Sequence, residues 1–329
     1  MLNTDAKLNP RLFDADVEQK PTRDGFGNGV VEAGTKDERV VVLCADLAES
    51  TRAEWFQKKF PDRFIEVGVA EQNLAAVASG IANYGKIPFI ASYATFSPGR
   101  NNEQIRTTIS LNNVPVKICG MHAGVSVGPD GATHQALEDI GLMRMQPRMV
   151  VVVPADAEEA RKATYAAAFN GSPTYLRFGR EKTPVITTVD TPFEIGKAYY
   201  LWKNESPQVV IIGCGSLLFE ALKAAKALEE KGVRVSVLNS HTVKPLDTAL
   251  ILEAASVAGR VVTVEEHQVA GGLGSAVTEY LVAAHPVPIE FVGVKDRFGQ
   301  SGTPTELNKE YGLDAPAIIA AVEKVIKRN

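Results

Sequence analysis

Short runs of β-branched and apolar residues alternate along this chain with longer amphipathic stretches, and that alternation leaves few folds open. A strand written as a continuous apolar run is buried on both faces, as happens when helices cover a mostly parallel sheet from either side. Strands are expected at Val40–Cys44, Phe64–Val67, Pro88–Ala91, Val114–Cys119, Met149–Val153 and Thr174–Arg177, and helices at Gln72–Tyr84, Glu103–Ser110 and Ala157–Phe169. Asp156 is placed to cap the last helix, Glu158 and Glu159 complement its dipole, and Asn170–Gly171 stops it. A second series has strands at Val209–Gly213, Val233–Leu238, Val261–Glu265 and Ile289–Val294, with helices at Leu217–Lys231, Thr248–Ala258, Ser275–Ala284 and Ala315–Lys327. Between the two series, residues 182–207 carry prolines and no clear period, and read as a crossover. The expected architecture is α/β, with two three-layer αβα domains: residues 1–185, a linker over 186–207, and residues 208–329.

Charge and cysteine usage narrow the function classes. Basic residues number 35 against 39 acidic, a net charge of −4, so no basic excess points to nucleic acid. No apolar stretch reaches the roughly 18 residues of a membrane span, and the polar, acidic start is unlike a signal peptide. Cys44, Cys119 and Cys214 each end an apolar run, far from one another. Buried free thiols in a reducing cytoplasm explain them better than disulfides or metal ligation.

The unusual residues fall where strands hand over to helices, the place where α/β sheets bind ligands. Glu71 is a lone carboxylate among apolar and small residues in FIEVGVAEQNLAAVASG. It reads either as a first-turn glutamate complementing the helix dipole or as a desolvated carboxyl serving as a proton relay. In residues 121–144, His122 and His134 flank a loop with three glycines and Asp130. These histidines suit proton transfer near neutral pH, or else Asp130 or Thr133 caps the next helix and the histidines are surface groups. Phe96 is a face for stacking or a core residue, and Arg23, Arg100 and Arg180 are phosphate forks or solvated arginines. Gly213 and Gly215 lack the rest of a dinucleotide fingerprint, and Gly271, Gly272 and Gly274 read as a tight strand-to-helix turn.

In this order, the segments CADLAEST, FIEVGVAEQN, SYATFSPGR, HAGVSVGPDGATHQALEDIGLMR, YLRFGRE, EEHQVAGGLGSAV and KDRFGQSG resemble the carboxyl-terminal half of transketolase from about Thr22 onward. The resemblance implies a thiamine diphosphate enzyme with a pyrimidine-binding domain followed by a smaller transketolase C-terminal domain. It implies that Glu71 hydrogen-bonds the pyrimidine, that Phe96 packs on it, and that Asp46, Leu47 and Val69 lie near the cofactor. It further implies that His122 and His134 line the substrate channel and shuttle protons, that Asp130 reads a substrate hydroxyl, and that Arg23, Ser50 and Arg180 hold a sugar phosphate. Where family members carry further aromatics after the Phe96 motif, this sequence has Gly99 and Asn102, so Tyr93 is a candidate wall of the pyrimidine pocket.

No Gly-Asp-Gly metal motif for the diphosphate occurs in the sequence. Mg2+ or another divalent cation is therefore expected on a separate N-terminal transketolase subunit, in a cytoplasmic heterotetramer of two chains of each kind. The implied reaction is reversible transfer of a two-carbon ketol unit from a ketose phosphate to an aldose phosphate. Deoxyxylulose-phosphate synthase, the β-chain of 2-oxoacid dehydrogenases, and a non-catalytic relic acting as a binding module are the alternatives.

Overall fold

The computed structural model describes residues 1–328. Fourteen strands form three sheets. In chain order they are β1 (Gln19–Pro21), β2 (Val40–Cys44), β3 (Phe64–Glu66), β4 (Ile87–Tyr93), β5 (Lys117–Met121), β6 (Val150–Val152) and β7 (Thr174–Arg177), then β8 (Lys182–Pro184), β9 (Tyr199–Trp202), β10 (Val209–Gly213), β11 (Val235–Asn239), β12 (Thr242–Lys244), β13 (Val261–Gln268) and β14 (Ile289–Val294). The first large sheet runs β12-β6-β7-β5-β4-β2-β3 and the second β14-β13-β10-β11-β9, while β1 and β8 pair alone. In the large sheets every pairing is parallel except those of the edge strands β12 and β9. The expected α/β architecture is therefore present in both units.

Alternate residues of β2 show why these runs are apolar throughout. Val41 and Leu43 enter one core with Leu74, Ala78 and Ile109, and Val40, Val42 and Cys44 enter another with Phe26, Phe56 and Ala163. The first of these cores continues into the second unit through Val210, Ile251 and Leu273, so the two units share one apolar interior. The opposite face of the second sheet is covered by the helices Leu218–Glu230 and Ala315–Ile326. Cys44, Cys119 and Cys214 are free and buried.

Several elements differ from the sequence expectations. The crossover is not featureless: it contains β8 and also β9, which completes the second sheet against β11. The second unit returns β12 to the edge of the first sheet, antiparallel to β6. The helix expected over Glu103–Ser110 is a short α-turn, Asn102–Gln104, followed by a π-helical turn, Ile105–Ser110. Asp156 does cap its helix, accepting from the Glu159 amide at 2.8 Å.

One buried ion pair of the first unit reaches the second through a hydrogen bond. Arg177, at the end of β7, donates through Nε to Asp139 Oδ2 at 2.7 Å and through Nη2 to the Glu266 carbonyl at 2.9 Å. Tyr175 donates its hydroxyl to Asp139 Oδ2 at 2.6 Å. Burial pushes the Asp139 carboxyl up, but Arg177 and then His267 pull it down, and the net position is below the ordinary carboxylate value. Removing one partner of such a pair strands the other charge in a dry interior. Asp139→Leu is expected to lower unfolding free energy by about 3–5 kcal/mol in urea titrations, and Arg177→Met added to it to restore much of the loss. A loss below about 1 kcal/mol in the single variant would mean that the pair is dispensable.

Candidate active site

Five adjacent strands of the first sheet, β3, β2, β4, β5 and β7, end on the same edge and deliver the candidate residues there. Beyond β3 the chain turns through Val69, which is 68% exposed, and enters the helix Glu71–Asn83. Glu66 ties this turn to the one after β2, its Oε1 accepting from the Asp46 amide at 2.7 Å and the Gly68 amide at 2.8 Å. Asp46 is exposed and Leu47 half-buried on that second turn. Glu71 is the first helical residue and is only 2% exposed. Its Oε1 accepts from Ser92 Oγ at 3.4 Å, and Oε2 is buried with no hydrogen-bond partner. Arg100 Nη1 is 3.6 Å from Oε2, beyond a hydrogen bond. Glu71 is thus at once a first-turn residue and a buried carboxylate. Dipole complementarity needs a first-turn position but not burial, and a dry carboxylate oxygen without a donor costs about 1–3 kcal/mol.

β4 ends in Tyr93, and the following turn carries Phe96. The two rings are nearly parallel, 8° apart with centroids 6.0 Å from each other. The His122 ring lies 4.2 Å from Tyr93, and His134 meets the Phe96 ring edge-on at 5.5 Å. Ser50 Oγ and the Tyr93 hydroxyl are 2.8 Å apart. Asn101 fastens this turn to Glu71, donating to the Glu71 carbonyl at 2.9 Å and to Ser97 Oγ at 3.1 Å. A Cβ at Gly99 would strike the Thr95 carbonyl, so this backbone admits no side chain there, aromatic or otherwise. Tyr93 stands beside Phe96 on the histidine side, as part of the same aromatic wall.

Cations gather at the far end. Arg23, in the first turn of the helix Thr22–Lys36, donates from Nη1 to the Ser50 carbonyl at 2.8 Å and contacts His122 Nε2 at 3.1 Å. Arg180 pairs with Asp130 at 2.9 Å, and Arg52 pairs with Asp24 at 2.7 Å. Burial first, then repulsion from Arg52 and Arg180, lowers the Arg23 pKa. Burial, followed by the charges of Arg23 and Arg180, pushes His122 down to about 3, so its ring is neutral at physiological pH. Three guanidinium groups within electrostatic reach of one another suit an oxyanion. An open cleft of about 560 Å³ lies beside Arg23, Ser50 and Arg52. Arg52 was not singled out in the sequence, where only its place two residues after Ser50 marks it.

The loop between the histidines is braced by the second unit. Glu266 Oε1 accepts from the Ser126 amide at 2.7 Å, and Gln135 Nε2 donates to the Val125 and Gln300 carbonyls, each at 3.0 Å. The next helix, Asp139–Arg144, begins too late for Asp130 or Thr133 to cap it, and His122 is fully buried rather than a surface group. His134 is half-buried, with Nδ1 2.9 Å from Thr133 Oγ1. The EEHQVAGGLGSAV glycines serve a structural turn: buried Glu265 accepts from the Leu273 amide at 2.7 Å and the Gly274 amide at 2.8 Å, capping the helix Leu273–Ala284. Arg23, Ser50, Tyr93, Phe96, His122 and His134 form one connected cluster, whereas Asp46, Leu47 and Val69 lie on the neighbouring turns after β2 and β3. Among the described residues, no group of three or more His, Cys, Asp or Glu side chains is placed to hold a metal ion.

The two units each match a known domain. Residues 18–185 match the transketolase pyrimidine-binding domain, and residues 196–318 match the transketolase C-terminal domain. A protein described as a putative transketolase C-terminal section in Methanocaldococcus jannaschii is 40% identical, over 94% of this chain and 98% of its own length. A 6-deoxy-6-sulfo-D-fructose transketolase subunit of a Clostridium species is 37% identical, over 96% of this chain and 98% of its own. Human transketolase is 37% identical over 93% of this chain, which spans 49% of its length. A split-gene transketolase solved as an inactive beta4 tetramer is 44% identical, with a TM-score of 0.87 over 93% of this chain and 98% of that one.

The cationic cluster generates its own prediction. Arg180→Gln is expected to weaken inorganic phosphate binding roughly 10-fold or more in calorimetric titrations, the worth of one charge-assisted hydrogen bond. An unchanged dissociation constant would make the Arg180–Asp130 pair an ordinary surface bridge.

Proposed function

The chain belongs to the transketolase family, and we propose that it is one subunit of a two-chain, thiamine diphosphate-dependent transketolase that moves a two-carbon ketol unit between sugar phosphates. The observation that supports this reading is the buried carboxylate of Glu71, whose Oε2 makes no hydrogen bond and has only Arg100 at 3.6 Å, and whose helix start is fastened through Asn101 to the turn that presents Phe96. A pyrimidine ring with hydrogen-bonding nitrogens and a flat face fits that pair of residues. The two-chain reading is supported by the relatives: one is named a C-terminal section and is matched over 98% of its own length, and the chain spans about half of human transketolase. In this reading a separate N-terminal subunit holds the diphosphate and its divalent cation, in a cytoplasmic heterotetramer of two chains of each kind. Free, buried cysteines suit a reducing cytoplasm.

When bound, thiamine diphosphate supplies the carbon nucleophile that breaks and remakes the bond to the two-carbon unit. Glu71 holds a hydrogen bond, and with it a proton, at the pyrimidine edge. Phe96 supplies a stacking face, and Asp46, Leu47 and Val69 border the cofactor. Arg23, Ser50 and Arg180 orient the anionic end of the sugar, and Asp130 selects for a hydroxyl. His122 and His134 line the path of the reacting carbons, where both hydrogen-bond sugar oxygens and His134 handles protons. The sulfosugar-transketolase relative supports an anionic sugar as the substrate class, with phosphate or sulfonate as its charged end.

Glu71→Gln separates the two roles of this residue. Glutamine keeps the size and the first-turn position but removes the acid. The variant reconstituted with the N-terminal subunit is expected to lose ketol transfer by roughly 100-fold or more, the usual worth of a general acid–base group. Thermal unfolding and assembly with the partner should stay near those of the native chain. Near-normal turnover would return Glu71 to complementing the helix dipole and remove the main support for this function.

A further inference from the structure

The two ring nitrogens of His122 are held differently. Nε2 lies 3.1 Å from Arg23 Nη1. A guanidinium has donors and no acceptor, so Arg23 donates and Nε2 accepts. An accepting Nε2 carries no proton, and in a neutral imidazole the one proton is then on Nδ1. The ring is held neutral by burial and by the cations Arg23, Arg180 and Arg52, against the Ser50 carbonyl, which favours the charged ring. Tyr93 covers one side of it, with centroids 4.2 Å apart. The same Arg23 Nη1 donates to the Ser50 carbonyl at 2.8 Å, which pins the guanidinium from a second direction. Nδ1 is buried and makes no hydrogen bond.

We propose that Arg23 is a positioning residue that locks His122 as the Nδ1–H tautomer and reserves that N–H as a donor for an anionic oxygen of the bound sugar. The inference rests on the proposed function only for the identity of the ligand. The tautomer belongs to the chain itself. Its consequence is a division of labour: His122 gives a hydrogen bond and takes no proton, and proton movement falls to half-buried His134.

The native chain, labelled with 15N in its histidines and assigned through His122→Asn, is expected to show a protonated Nδ1 and a bare Nε2, unchanged between about pH 8 and pH 5. Inorganic phosphate should shift the Nδ1–H resonance. Arg23→Met should give mixed tautomers and raise the His122 midpoint by roughly one unit or more, since it removes a neighbouring cation. Arg23→Lys should keep the native tautomer by leaving a donor in place. Arg180→Gln should also keep it, because it removes a charge but not the hydrogen bond to Nε2. A native Nε2–H tautomer would overturn the proposal, as would an Arg23→Met spectrum identical to the native one, and an Nδ1–H resonance indifferent to phosphate would overturn the donor role. If Arg23→Met does not fold, the native and Arg23→Lys spectra still decide. An Nδ1–H tautomer found in a chain whose complex transfers no ketol unit would uphold the inference and remove the function.

Discussion

A single guanidinium, that of Arg177, sets the geometry on which the site depends. It is buried, and its orientation is set by Asp139 and by the carbonyls of Ala136 and Glu266. Asp139 begins the helix after the histidine loop, and Glu266 lies on β13 of the second unit. Arg177 itself ends β7, three residues before Arg180. A buried pair of this kind contributes little net stability but tolerates few alternatives, because any other arrangement leaves a charge unpaired. The second unit thereby braces the loop between His122 and His134, through Glu266 to Ser126 and through Gln135 to Gln300. The carboxyl ends of β10 and β13 meet the first unit here, the Gly215 amide donating to the Val153 carbonyl at 3.1 Å and the Gln268 amide to the Leu137 carbonyl at 2.8 Å.

Beside this junction, the edge of the first sheet is left incomplete. Glu71 Oε2, Arg23 Nε and His122 Nδ1 are buried without partners. Such groups are costly, and under the proposed function the bound ligand supplies their partners. Stability is given up at one edge and recovered in the shared core.

How far the sequence discloses this is decided by period and by spacing. β2, β7, β10 and β14 fall at their expected limits because parallel strands buried on both faces are written as apolar runs. The helix Thr22–Lys36 went unrecognised for a physical reason. Its glycines break the amphipathic pattern, yet a Cβ at Gly25 would strike the Ala157 carbonyl, and one at Gly29 would crowd Arg161 and Thr164. The close approach of two helices that requires glycine is also what hides the first of them. β9 and β12 were missed because short antiparallel edge strands carry no run and draw their pairing from distant segments. The histidines, Glu71 and Phe96 were legible as unusual residues at strand ends, but their arrangement was not: sequence shows neither that Oε2 is dry nor that Arg23 reaches His122. Arg52, Ser92 and Asn101 carry no motif, and only the fold brings them in.

The central claim is that the site is shared between two polypeptides. Calorimetric titration of thiamine diphosphate with magnesium into this chain, into the N-terminal subunit and into their equimolar mixture, with ketol transfer assayed on each, tests it most directly. The account predicts stoichiometric binding and turnover only in the mixture, one cofactor for each pair of chains. Turnover by this chain alone at the rate of the mixture would contradict it.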